Sequence, residues 1–134
     1  MRFMMLMKPH VTDKSGWEPS AEAVEAMMKY NEDLTQVGKL LALDGFQPPS
    51  KGAIVRFSGG ETSVDDVPLG EETVGGYWII KADSKEEAIE IAKGCPAQDC
   101  AIEVRQIYEM SDFPEDVQEA AGELSTPPAE QASA

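Results

Sequence analysis

Between Gly75 and Tyr108 the apolar pattern changes period twice, and that succession limits the chain more than any other feature. Residues 75–82 hold Tyr77, Trp78, Ile79 and Ile80, the aromatic and β-branched composition of a strand. Ser84-Lys85-Glu86-Glu87 is then a capping box, in which a serine hydroxyl and a glutamate three residues on satisfy free amides at a helix start. The helix it opens turns Ala88, Ile91 and Ala92 inward and stops at Gly94, with Pro96 beyond. Residues 101–108 return to a two-residue alternation, Ile102 and Val104 against Glu103 and Arg105.

The first part of the chain repeats this order of elements. Residues 2–8 form an apolar run stopped by Pro9, which reads as a strand with burial on both faces. After a loop holding Pro9, Gly16 and Pro19, Val24, Met27, Met28, Leu34 and Val37 recur at helical spacing. Ser20 is placed as N-cap and Gly38 as C-cap. Leu40–Leu43 leads into the turn-rich Asp44-Gly45-Phe46-Gln47-Pro48-Pro49. Ala53–Phe57 and Glu61–Val64, joined by Ser58-Gly59-Gly60, read as a β-hairpin. An acidic loop follows over residues 65–73. Asp112 is placed to cap a short helix from Pro114 to Ala121.

The fold class is therefore α+β, a ferredoxin-like β-α-β-β-α-β order with an antiparallel four-stranded sheet and a hairpin extension. One domain spans residues 1–121, and residues 122–134, with little to bury, read as a flexible tail.

Both helices of this arrangement cover one side of the sheet, so the other side must meet something. If Ile102 and Val104 face the helices, Glu103 and Arg105 emerge on the bare side. Two sheets meeting face to face in a homodimer would bury that side and leave a cleft lined by aromatics and a few charges, the composition of a ligand pocket. Glu103, Arg105, Trp17, Tyr77 and Trp78 are the candidate ligand-binding residues. The bland alternative for Glu103 and Arg105 is an ion pair on a wet face. Trp17 either lids a pocket or anchors its loop.

Charge narrows the partners. The 134 residues carry 25 acidic against 11 basic side chains, a formal net charge of −14. Such a surface repels phosphate backbones and anionic lipid heads, so neither nucleic acid nor a membrane is an expected partner. No secretory segment or spanning stretch is read, and two cysteines make a poor disulfide framework, so a cytoplasmic location is expected.

These segments together resemble the YCII-related proteins, in the branch labelled DGPF, over residues 2–113. The resemblance is carried by Arg2-Phe3-Met4-Met5-Leu6-Met7, Asp44-Gly45-Phe46-Gln47-Pro48-Pro49, Val74-Gly75-Gly76-Tyr77-Trp78-Ile79-Ile80, Ala92-Lys93-Gly94-Cys95-Pro96 and Ile102-Glu103-Val104-Arg105-Gln106-Ile107-Tyr108. It implies a ferredoxin-like fold of the dimeric α/β-barrel superfamily and a suggested but unassigned enzymatic role. Two departures stand out. Asp-Gly-Pro-Phe is here Asp66-Val67-Pro68-Leu69, and Val67 cannot take at low cost the positive φ open to glycine. The founding branch's histidine near the first helix has no counterpart in residues 20–37, so its role does not transfer.

His10, the one histidine, is the candidate general acid or base, with Asp44 to orient it if the two lie close in space. No metal or cofactor is expected. Cys95 and Cys100 lack the further ligands of a zinc set, Asp65, Asp66, Glu71 and Glu72 lack the order of a calcium loop, and Gly75-Gly76 opens a strand rather than a helix. Two functions stay open: an enzyme acting on a small organic molecule in the dimer cleft, and a non-catalytic ligand-sensing or protein-interaction module.

Overall fold

The computed structural model describes residues 1–10, 17 and 19–122. The tail expected over residues 122–134 lies outside the described residues from 123 onward. Six strands and three helices follow in the order β1 (Arg2–Lys8), α1 (Ala21–Gln36), β2 (Leu40–Gly45), β3 (Ile54–Ser58), β4 (Glu61–Asp65), β5 (Gly76–Lys81), α2 (Lys85–Lys93), β6 (Ala101–Gln106) and α3 (Glu115–Ala121). Four strands make one antiparallel sheet in the order β2-β5-β1-β6, and β3-β4 form a separate hairpin. The α+β class, the four-stranded sheet and the hairpin extension are those expected, and the arrangement is ferredoxin-like.

Strand register decides which residues share a face. Phe3 pairs with Ile80, and Met5 pairs with Trp78 and Val104. These side chains point toward the helices, where Phe3, Met5, Trp78, Ile80, Ala82 and Ala88 form the buried core. Met27, Tyr30, Leu40, Ile91, Ala92, Ile102 and Val104 close it at the sides. Phe3, Met5 and Ile80 are almost fully withdrawn from water, which for side chains of this size contributes about 1.5–3 kcal/mol each.

Helix α2 matches its expected inward face, Ala88, Ile91 and Ala92. Its start is a variant of the expected box. The Glu87 amide donates to the Ser84 hydroxyl at 3.1 Å, while the Glu87 carboxylate accepts from the Asp83 amide at 3.0 Å, one residue earlier than a reciprocal box requires. That carboxylate also holds Lys39 at 2.7 Å, which ties α2 to the start of β2 and keeps the Glu87 carboxyl below the usual range.

Helix α1 departs from its expected face. Met27 and Leu34 turn inward as expected, but Val24, Met28 and Val37 are exposed. Tyr30 and Asn31 take the central inward positions. The Asn31 side-chain oxygen accepts from the Trp78 indole at 2.8 Å, and the Tyr30 ring meets Trp78 edge-on with centroids 6.3 Å apart. A buried indole N–H needs an acceptor, so a polar residue belongs at this point of the stripe.

Asp112 also acts elsewhere than expected. It accepts from the Glu109 amide at 2.8 Å within a short 3-10 turn, and α3, with Pro114 at its N-cap, has no side-chain cap. Among the described residues, no helix is long and apolar enough to cross a membrane.

Candidate functional site

The face of the sheet turned away from the helices carries two polar groupings with an apolar strip between them. Cross-strand register sets one row as Asp44, Tyr77, Leu6 and Glu103, and the next as Ala42, Ile79, Met4 and Arg105. With strands about 4.8 Å apart, the ends of a row stand roughly 14 Å from one another. The face therefore presents two separate polar ends, joined by Met4, Leu6 and Ile79.

At the β6 end, Lys8 continues the parity of Met4 and Leu6 and leans across to the neighbouring strand. Its ammonium donates to Glu103 at 2.8 Å and to Glu72 at 2.7 Å, and Glu103 also pairs with the Arg105 guanidinium. The Glu103 side chain is 28% exposed and that of Lys8 13%, against 75% for Arg105, so the carboxylate is the fixed centre and the guanidinium its solvent-facing arm. Hydrogen bonds from Lys8 and Arg105 hold the Glu103 carboxyl below its usual range, and Glu103 and Glu72 in turn raise Lys8. Glu103 is thus a charged acceptor at neutral pH. Glu103 and Arg105 share the bare face as expected, and they pair with each other along β6, which is close to the ion pair of the bland alternative.

At the β2 end, close backbone approach assembles the grouping. A Cβ on Gly76 would stand 2.8 Å from the Asp44 carbonyl oxygen and 3.2 Å from Gly45 Cα, so only glycine lets β2 and β5 close here. One on Gly75 would press at 3.2 Å on the Pro9 ring, with Trp17 beside it. The Tyr77 hydroxyl donates to the Asp44 carboxylate at 3.0 Å, which raises the phenol above its ordinary value. Phe46 leans on Tyr77 with ring centroids 5.9 Å apart, and the Trp17 indole donates to the Phe46 carbonyl at 3.1 Å. Trp17 therefore sits against the residue that follows β2.

Next to this grouping a groove of about 370 Å³ is lined by Phe46, Pro48, Lys51, Val67 and Val74, among others. Val67 adopts no positive φ: among the described non-glycine residues only His10 and Asp99 do. Its loop is instead pinned by the buried Thr73, whose hydroxyl donates to the Pro68 carbonyl at 2.8 Å. The substituted loop thus avoids the left-handed region and offers a branched apolar side chain to the groove.

A family model, the YCII-related domain, matches residues 1–111. The chain belongs to the YCII-related family. No curated protein matches it. The matched span includes every strand of the main sheet and both polar ends of its open face, so the geometry above belongs to the YCII-related unit itself.

The sequence-predicted residues fall into three places. Asp44, Tyr77 and Trp17 gather at one end of the open face, and Glu103 and Arg105 at the other. Trp78 lies on the opposite face, buried against α1 with its indole committed to Asn31. Apart from these, His10 follows β1, exposed and at φ 55°, and Asp44 accepts a hydrogen bond from Tyr77.

Lys8, Phe46 and Glu72 escape the sequence reading. Parity along β1 could have found Lys8, which shares a face with Met4 and Leu6. Glu72 reaches Lys8 from a loop, where no period indicates direction.

A larger cavity of about 480 Å³ lies on the helix side, between α2 and β6, lined by Ile89, Ala92, Cys95, Cys100, Ile102 and Val104 among others. Burial pushes the Cys95 thiol up to about 11 and raises Cys100 as well, so both are protonated at neutral pH and poor nucleophiles. Cys95 packs its sulfur 3.9 Å from that of Met27, a core contact.

Proposed function

We propose that this YCII-related chain works as a homodimer that holds a small organic molecule between two facing sheets. The observation that carries the reading is the half-buried Glu103, fixed by Lys8 and Arg105 beside Met4, Leu6 and Ile79 on the face opposite the described helices α1 and α2. Such a mixture of apolar floor and few oriented polar groups is that of a ligand pocket. A lone chain leaves this half-buried strip partly in water, and pairing covers the rest. The ligand has an apolar body for this strip and a polar head for the Glu103–Arg105 or the Asp44–Tyr77 end. The unpaired thiols of Cys95 and Cys100 fit a reducing compartment, in keeping with a cytoplasmic location.

Both carboxylates of the face have committed donors, Asp44 from Tyr77 and Glu103 from Lys8 and Arg105. This favours fixed acceptors that orient a ligand over shuttles that move its protons, and so favours the ligand-sensing reading. The enzymatic reading takes His10 as acid or base, with Asp44, Glu103 and Arg105 positioning or polarising the substrate. A metabolite-library thermal-shift screen, followed by product analysis of each hit, separates the two. Hits recovered unchanged support sensing; turnover that disappears in His10→Gln supports catalysis. A complete absence of hits, or hits that bind Glu103→Gln and Tyr77→Phe as well as they bind wild type, contradicts the cleft altogether.

A further inference from the structure

The β3–β4 hairpin stands off the main sheet with its apolar face in water. The two strands pair only with each other and make no extended contact with any other described element. Its tight Gly59-Gly60 turn, both residues at positive φ, is of the kind that closes a two-residue hairpin loop. Register puts Val55 opposite Val64 and Phe57 opposite Thr62, all on one face. Val55 is 51% exposed, Val64 69% and Phe57 80%. The reverse face carries Glu61 and Arg56, the latter paired with Asp65 at 2.7 Å, so the charges lie on one side and the apolar side is open. An isolated two-stranded hairpin is marginal in water, and one exposing a phenylalanine and two valines has something to cover them.

We infer that this hairpin is a dimerisation arm, its Val55–Phe57–Val64 face lying on the second copy of the chain. The inference rests on the sheet-to-sheet dimer proposed above and names a further part of its interface. Area favours it. Four strands about 4.8 Å apart and about six residues long give the open face a footprint of roughly 400 Å², whereas a standard interface takes about 800 Å² from each partner. Arms exchanged by two-fold symmetry enlarge the contact on both copies at once. Charge favours the same occupant. Two chains of net charge −14 repel over most of their surfaces and can approach closely only through uncharged patches, and the Val55, Phe57, Thr62 and Val64 face is one. A basic partner would instead be drawn to the acidic surface.

The test compares three full-length proteins by sedimentation equilibrium: wild type, Phe57→Ser on the arm and Met4→Lys on the open sheet face. Phe57 lies outside the core, so Phe57→Ser melts like wild type at dilutions where both are monomeric. It should raise the dimer Kd by roughly tenfold or more, as expected for an aromatic anchor. Amide exchange over residues 54–65 gives a second readout. These amides should be protected in concentrated wild type and lose protection on dilution to monomer. A wild type that is monomeric at tens of micromolar overturns both the dimer reading and the arm. A wild-type dimer weakened by Met4→Lys but not by Phe57→Ser overturns the arm alone. So does hairpin protection that persists in the monomer, since the face is then covered within one chain.

Discussion

Met4 and Met5 are chemically identical neighbours in β1, yet they serve opposite sides of the sheet. Met5 is fully buried among Trp78, Val104 and the helices, while Met4 lies between Ile79 and Arg105 on the uncovered side. The helix side is a closed protomer core with its one indole satisfied. The open side is an apolar strip with polar ends. The same strands thus specify a core with one set of alternate residues and, in the dimer proposed above, a meeting surface with the other.

The sharpest way to break that comparison is to truncate each methionine in turn. Met5→Ala should cost about 2–5 kcal/mol of protomer stability at every protein concentration. Met4→Ala should stay within about 0.5 kcal/mol of wild type in dilute solution and lose stability only as concentration rises. Chemical denaturation at two widely separated concentrations checks both. Equal effects of the two variants at high dilution would mean that the open face is already covered in one chain.

Within the closed face, Trp78→Phe keeps an aromatic ring but leaves the Asn31 side-chain oxygen without its donor, at a cost of about 1–2 kcal/mol. Trp78→Phe should leave ligand binding unchanged, since position 78 faces away from the cleft.

Glu103→Gln sharpens the account of the open face. The Glu103 carboxyl is held low in the folded protein, so its contribution is present above its unfolded value, about 4.3, and is lost as pH falls through the folded one. Wild type should lose stability on acidification through this window more steeply than Glu103→Gln. Acid melting curves of the two proteins make the comparison, and parallel curves would remove the Lys8–Glu103–Arg105 centre.

The smallest effect belongs to Tyr77→Phe. Its phenol is raised by Asp44, so the hydrogen bond persists below the unfolded value, near 10, and is lost as pH rises through the folded one. Stability near neutrality should change little, while the raised phenol should vanish from the ultraviolet titration.

Period and punctuation made the fold legible: the strand of Ile102 and Val104, the cap at Ser84 and the Gly59-Gly60 turn all stand where their chemistry places them. Alternation also put Glu103 and Arg105 on the bare face. Misreadings arose where tertiary contact overrides local pattern. Tyr30 and Asn31 look like solvent residues until the Trp78 indole requires an acceptor, and Val24 and Met28 look like core until α1 is seen rotated to supply it. The same rotation explains why Trp78, an aromatic in a strand with large side chains on both faces, could not be assigned a side from sequence. The Asp44 end depends on Gly76 permitting a close approach between strands distant in sequence, which no period encodes.

The account turns most directly on the mass of the protein in solution. Sedimentation equilibrium from nanomolar to tens of micromolar should show a reversible passage from the 14.5 kDa chain to twice that mass. A well-folded species that keeps the mass of one chain throughout, with its open sheet face and hairpin in water, would contradict it.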